Sequence, residues 1–282
     1  MPLILLQTLT AVTRAMTPLN ILLVTKGHPF EKGPFFDLFD SLSINYTHVE
    51  QPLATEVLTP ELTAEYDCLV FYDMPGIDFK AGGPHYRQPS PAFKANFLKL
   101  LEAGKGMVFL HHAIAGWPAW PEYGRIIGGR FRYTSTVING KPVSDSGYRH
   151  HVTHTVRVVD DQHPVTQGLP EQFSMTDELY LFEVFEDEIE PLLSSDFAFT
   201  PDQFYSAAAV VQRGEMNSNK DWFPPNGSDR VGWVKRYRNS PICYLQGGDD
   251  PVAWSNQHYQ QLLVNAIKWA SADRAHSDFA EN

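Results

Sequence analysis

The sequence predicts an α/β fold built on a mostly parallel central sheet, and three observations carry that prediction. Short apolar runs alternate with amphipathic helical stretches through the first half of the chain. The runs are apolar at nearly every position, as strands covered on both faces must be. With 43% hydrophobic and 13% aromatic residues in 282, the chain can bury a large core within one domain.

The elements follow in order. Residues 20–25 (NILLVT) form a short buried strand. Residues 33–42 set Phe35, Phe36, Leu38, Phe39 and Leu42 at helical spacing. Residues 44–49 supply a second strand and residues 67–72 (DCLVFY) a third, stopped by Asp73, Pro75 and Gly76. Residues 91–103 are a well-marked helix with Ser90 as cap, Pro91 in the first turn, Gly104 at its end, and a stripe of Phe93, Phe97, Leu100 and Leu101. Residues 106–110 (GMVFL) are the next strand. This rhythm implies a parallel sheet with helices on both faces. The second half is less regular. Residues 118–145, rich in Gly, Pro and aromatics, read as long loops. Residues 153–159, 178–186, 207–213, 232–237 and 242–246 read as strands. Residues 256–271 close the fold as a helix with the stripe Tyr259, Leu262, Leu263, Ala266, Ile267 and Ala270. No repeat or linker divides the chain. Residues 17–275 are therefore expected to be one domain, with a disordered extension at 1–16 and a disordered tail at 276–282.

Charge narrows the partners. With 22 Lys and Arg against 33 Asp and Glu, the net charge is −11, which argues against nucleic acid and anionic membrane as partners. Cys68 and Cys243 lie in apolar runs and read as free buried thiols. No Lys or Arg precedes the apolar start, so a secretory signal is not indicated, and no run is long enough for a transmembrane helix. A cytoplasmic location is expected.

The chemistry gathers at strand ends. The first strand runs into Thr25-Lys26-Gly27-His28, the third into Asp73, the fourth into His111-His112 and the last into Gln246-Gly247-Gly248-Asp249-Asp250. Ligands of doubly wound sheets bind outside the carboxyl ends of strands. His111-His112 is the sharpest signal. It stands where related folds hold a Ser or Cys nucleophile, yet no Gly-x-Ser-x-Gly or Gly-x-Cys-x-Gly occurs. A histidine there can serve as general acid or base, or as a metal ligand. Adjacent side chains diverge, so the two need not share one ligand. Asp177 and Glu178 could orient a histidine, act as base or bind sugar hydroxyls, or form a charged turn. His150 and His154 would share a face of a strand but make no strong zinc site by themselves. His163-Pro164 reads as turn chemistry. Trp117, Trp120 and Trp254 could stack on sugar rings or cover the core. Neither a dinucleotide fingerprint nor a P-loop is present.

Several segments in one order resemble the ThuA-like group, named for trehalose utilisation and related in fold to class I glutamine amidotransferases. They are His111-His112-Ala113, Tyr123-Gly124-Arg125-Ile126-Ile127-Gly128-Gly129-Arg130-Phe131, His163-Pro164-Val165-Thr166-Gln167-Gly168-Leu169, Asp177-Glu178-Leu179-Tyr180, Gly247-Gly248-Asp249 and Asn265-Ala266-Ile267-Lys268-Trp269-Ala270. The resemblance covers most of residues 19–272. It implies a flavodoxin-like three-layer sandwich without the amidotransferase Cys, and a role in carbohydrate utilisation. Where the family often carries Gly-His-Asp, this chain has Gly247-Gly248-Asp249.

Together these readings point to an enzyme acting on a glycoside or its 3-keto form, by acid–base or metal-assisted hydrolysis or elimination. His111, His112, Asp177 and Glu178 are the expected catalytic groups. His28, Asp73, Trp117, Arg130, Tyr180 and Asp249 are the expected substrate contacts. No cofactor is certain from these residues, and a divalent metal on His111 and His112 is the candidate. A small carbohydrate is the expected ligand, and self-association is left open. The alternative is a sugar-binding or regulatory module without turnover.

Overall fold

The computed structural model describes residues 18–80 and 82–272; the expected extension and tail lie outside them. The central sheet is built from β1 (Leu19–Lys26), β2 (Ile44–Glu50), β3 (Cys68–Asp73), β4 (Gly106–Leu110), β5 (Gly147–Val158), β6 (Gln172–Leu181), β7 (Glu190–Ser195), β8 (Arg230–Tyr237) and β9 (Ser240–Leu245). Their order across the sheet is β6-β5-β7-β8-β9-β4-β3-β1-β2, with the short strand Tyr205–Ser206 added beside β5. From β9 to β2 every pairing is parallel. From β9 to β6 every pairing is antiparallel. Following these directions across the sheet, only β5 and β8 are reversed. Seven of the nine strands thus run the same way, and their carboxyl ends share one edge.

Helices cover both faces. On one side α1 (Lys32–Ser41) packs Phe35, Leu38 and Phe39 against Ile21, Leu23, Val70 and Tyr72 of the sheet. On the other, α2 (Pro91–Glu102) and α3 (Pro121–Ile127) pack Phe93, Phe97, Ile126 and Ile127 against Leu22, Leu69, Phe71 and Phe109. Neighbouring residues of β1 and β3 feed opposite cores, which is why those strands are apolar throughout. The Ser90 hydroxyl caps α2 by accepting from Phe93 N at 3.1 Å. The closing helix, here numbered α5 (Gln257–Ala272), seats Leu262, Leu263, Ala266 and Ile267 on the α1 side. It crosses β4 so closely that a Cβ on Gly106 would lie 1.9 Å from the Ala270 carbonyl oxygen.

Three expectations are corrected. Residues 207–213 form a helix, α4 (Ala207–Arg213), not a strand. The Ser206 hydroxyl accepts from Ala209 N at 3.0 Å, Gly214 closes the helix in the left-handed conformation, and three successive alanines favour it. The loop expected over 118–145 contains α3 and a small hairpin, Thr136–Ile138 with Lys141–Val143. The strand expected at 178–186 instead runs Gln172–Leu181, so Asp177 and Glu178 lie within it. Among the described residues, no helix is long and apolar enough to cross a membrane.

Candidate functional site

At the end of β4 the chain turns sharply into a single 3-10 turn, His111–Ala115. His111 has φ +45°, a left-handed conformation that costs a non-glycine residue about 1 kcal/mol or more and is found most often at functional sites. The Tyr244 hydroxyl donates to the His111 carbonyl at 3.0 Å and steadies this elbow. From it the two histidines diverge. His111, fully buried, points toward the antiparallel half of the sheet. His112 packs edge-on against Tyr72, with ring centroids 4.2 Å apart, and beside His28 at 4.7 Å. Neither nitrogen of His112 has a hydrogen-bond partner, and burial pushes its pKa well below the ordinary value.

His111 is the hub of a polar cluster. Its Nδ1 donates to the Gln246 carbonyl oxygen at 2.7 Å. Its Nε2 lies 3.1 Å from Glu178 Oε2, 3.2 Å from Asp249 Oδ1 and 2.7 Å from the Tyr180 hydroxyl, whose ring stacks on the imidazole. Burial disfavours the charged imidazole, but the Asp249 and Glu178 carboxylates outweigh it and raise the His111 pKa well above the ordinary value. Burial alone would raise the Asp249 carboxyl, yet the contact with His111 holds it down at about 2. His150 Nδ1 meets the other Glu178 oxygen at 3.2 Å.

Asp177 plays a different part. Its carboxylate accepts Gly248 N at 2.6 Å and Asp249 N at 3.1 Å, and so fixes the loop that carries Asp249. Burial pushes its pKa up to about 7, against the pull of His111 and these backbone N–H groups. In that loop Gly248 has φ +110°, and a Cβ there would meet the Tyr259 hydroxyl at 2.2 Å. The space a side chain at 248 would need is thus filled by the Tyr259 hydroxyl from α5, while Asp249 lies beside His111.

Beside the cluster lies a cavity of about 210 Å³. His28, His150, Glu178 and Tyr180 supply its polar groups, and Phe131, Tyr133 and Tyr148 are its aromatic wall. Ala207, Val210 and Val211 of α4, with Met216, form the remaining side.

The structure therefore brings together His28, His111, Glu178, Tyr180 and Asp249 from the predicted set, with Asp177 behind them. It separates the others. Asp73 is buried on the α2 side, accepting from Gln51 Nε2 at 2.7 Å, and burial pushes its pKa up to about 7. Trp117 is nearly buried against Phe93 and lines a different cleft with Gln51 and Arg87. Arg130 pairs with Glu183 in a two-residue ladder, and its guanidinium donates to the Pro121 carbonyl. His112 does not join the metal-competent group, which among the described residues is His111, Glu178 and Asp249. Trp120 and Trp254 are buried as well.

His150 is the residue the sequence undervalued. A bulge between Arg149 and Val152, with His151 at φ +53°, breaks the two-residue alternation. His150 therefore faces the cavity, while His154 turns into the core and bonds the Ser195 hydroxyl at 2.8 Å. Both cysteines are free, buried in strands and pushed up in pKa by burial, so neither offers a ready thiolate.

Comparison with known proteins defines the class. The family model described as ThuA, trehalose utilisation, matches residues 23–270, and the chain belongs to that family, which points to a carbohydrate-related role. It is similar to the crystal structures of two ThuA-like proteins. One is from Parabacteroides merdae, with TM-score 0.64, 18% identity, and 90% of each chain covered. The other is from Bacteroides uniformis, with TM-score 0.58, 18% identity, and 93% of this chain and 95% of that one covered. A Thermoplasma acidophilum protein described as part of a GMP synthase shares the fold at TM-score 0.50 and 11% identity, over 93% of this chain and 99% of that one. No curated protein matches the chain in sequence.

Proposed function

We propose that the protein is a cytoplasmic enzyme of carbohydrate utilisation that acts on a glycoside, in its 3-keto form, at the cavity floored by Glu178 and Tyr180. The cavity itself carries this reading. It sets an aromatic wall against two imidazoles, a carboxylate and a phenol, in a space suited to one sugar ring rather than a dinucleotide. The apolar CH faces of a sugar suit Phe131, Tyr133 and Tyr148, and its hydroxyls suit the polar floor.

A 3-carbonyl acidifies the neighbouring C2–H and brings it within reach of acid–base groups. His150, oriented through Nδ1 by Glu178, takes that proton on its other nitrogen. The electron pair moves into an enolate, stabilised by hydrogen bonds from the cavity floor, where Tyr180 presents its hydroxyl and His28 its imidazole. Collapse of the enolate breaks the C1–O bond, and the departing oxygen takes up a proton from the polar floor. Water adding to the unsaturated ketone completes hydrolysis; release before that step is elimination.

The test compares a 3-keto-glucoside with its parent glucoside. Turnover of the keto form, lost in Glu178→Gln with an unchanged circular dichroism spectrum, is expected. Binding of both sugars without turnover of either would replace the enzyme with a sugar-binding module. Failure to bind either would remove the carbohydrate reading.

A further inference from the structure

We infer that His111, Glu178 and Asp249 form a divalent metal site. The inference rests on reading this cluster as the working centre, but it concerns binding and is tested without any sugar. The Gln246 carbonyl can only accept, so the His111 proton on that side sits on Nδ1. In the neutral ring Nε2 then turns a lone pair toward Glu178 Oε2 at 3.1 Å and Asp249 Oδ1 at 3.2 Å. The Tyr180 hydroxyl, 2.7 Å from Nε2, can donate to one of these atoms but carries no charge, so two carboxylates still face one lone pair with no cation between them. A proton on Nε2 supplies one, but a single N–H points in one direction and serves one carboxylate. A metal ion serves all three.

Distance and charge agree with an ion. Ligand atoms about 2.1 Å from a metal lie roughly 3.0 Å apart in an octahedron and roughly 3.4 Å apart in a tetrahedron. Both observed separations fall between these values, and the three ligand atoms lie within 4.8 Å of one another. Two carboxylates and a neutral imidazole sum to the charge that a divalent cation cancels. A histidine that donates its second nitrogen to a backbone carbonyl is the usual outer arrangement of a metal ligand. Asp177, accepting the Asp249 N–H, supports the other side.

The site is built open. Glu178 also faces the cavity, where His28 and His150 lie beside it, and His28 Nδ1 is buried without a partner. A substrate oxygen can therefore complete the coordination, as in catalytic rather than structural sites. One nitrogen and two carboxylate oxygens suit Zn²⁺ or Mn²⁺. Once bound, such an ion would supply Lewis-acid polarisation of a sugar carbonyl.

The experiment uses the full chain without a histidine tag, stripped with EDTA and titrated calorimetrically with ZnCl₂, MnCl₂ and, for comparison, MgCl₂. One Zn²⁺ or Mn²⁺ per chain is expected, with a rise in Tm on binding. Asp249→Asn and Glu178→Gln should weaken binding by about 100-fold, the upper end of what losing even a supporting residue costs. A circular dichroism spectrum matching that of the stripped parent shows that each variant is folded, which separates lost binding from lost folding. No stoichiometric binding by either ion, or variants that bind as tightly as the parent, would overturn the site. Binding without turnover of any keto-glucoside would leave the site standing and remove the proposed function.

Discussion

The two halves of the central sheet contribute to the site by different rules. In the parallel half the strands are covered on both faces, and polar residues are pushed to their carboxyl ends. His28 and His111 follow the ends of β1 and β4 and reach the site, while Asp73, the last residue of β3, turns to the α2 side. In the antiparallel half the polar residues sit inside the strands. Asp177, Glu178 and Tyr180 belong to β6, and His150 borders the bulge of β5. The site is a seam in which an elbow from one half meets strand interiors from the other. Strand ends alone locate one bank of such a seam; register and bulges locate the other.

The largest stability effect is expected where the halves are tied together. Asp177→Ala would leave the buried Gly248 N–H and the part-buried Asp249 N–H without their acceptor, at a cost of about 4 kcal/mol. Urea unfolding measures this, and a cost near zero would mean that the seam does not depend on that tie.

A slightly smaller effect should isolate the antiparallel half. Burial lowers the His154 pKa from 6.5 to about 4, so the fold favours the neutral ring. As pH falls the unfolded chain takes up the proton first. The stability contributed by the neutral ring is therefore complete above pH 6.5 and is lost as pH falls toward 4, by roughly 3 kcal/mol. His154→Gln should flatten that part of the stability–pH curve, and an unchanged slope would place the titration elsewhere.

Gly248→Ala should cost about 2 kcal/mol through its left-handed backbone and the clash of the new Cβ with the Tyr259 hydroxyl. Tyr259→Phe added to it should recover part of the loss, because the hydroxyl is the atom nearest the new Cβ; strictly additive effects would contradict that contact. Ser206→Ala is the mildest change, at about 1 kcal/mol, and checks that residues 207–213 hold as a helix.

The same division explains what the sequence revealed. The elements of the parallel half were legible because their residues are apolar throughout and their helices carry caps such as Ser90 and Pro91. His111 was legible for the same reason, as a polar residue flush against a buried run. Residues 207–213 misled because Val210 and Val211 resemble a strand, while the capping Ser206 and closing Gly214 lie just outside the apolar window. His150 was hidden by the bulge, since alternation counted along 150–154 assigns both histidines to one face. Asp177 read as catalytic because its type fits the chemistry, yet its hydrogen bonds to Gly248 and Asp249, distant in sequence, give it a supporting role. Trp117 and Arg130 carry side chains that suit a sugar but pack elsewhere, and side-chain type alone cannot convey that.

The most direct test of a single working centre spanning both halves is a double-mutant cycle on 3-keto-glucoside turnover, using His111→Ala, Glu178→Gln and the double variant. Each single change should lower kcat by about 10²–10⁴. The double variant should be no slower than the worse single, because residues that act as one unit are lost together. Losses that multiply, or single variants that turn over at the parent rate, would contradict a shared centre.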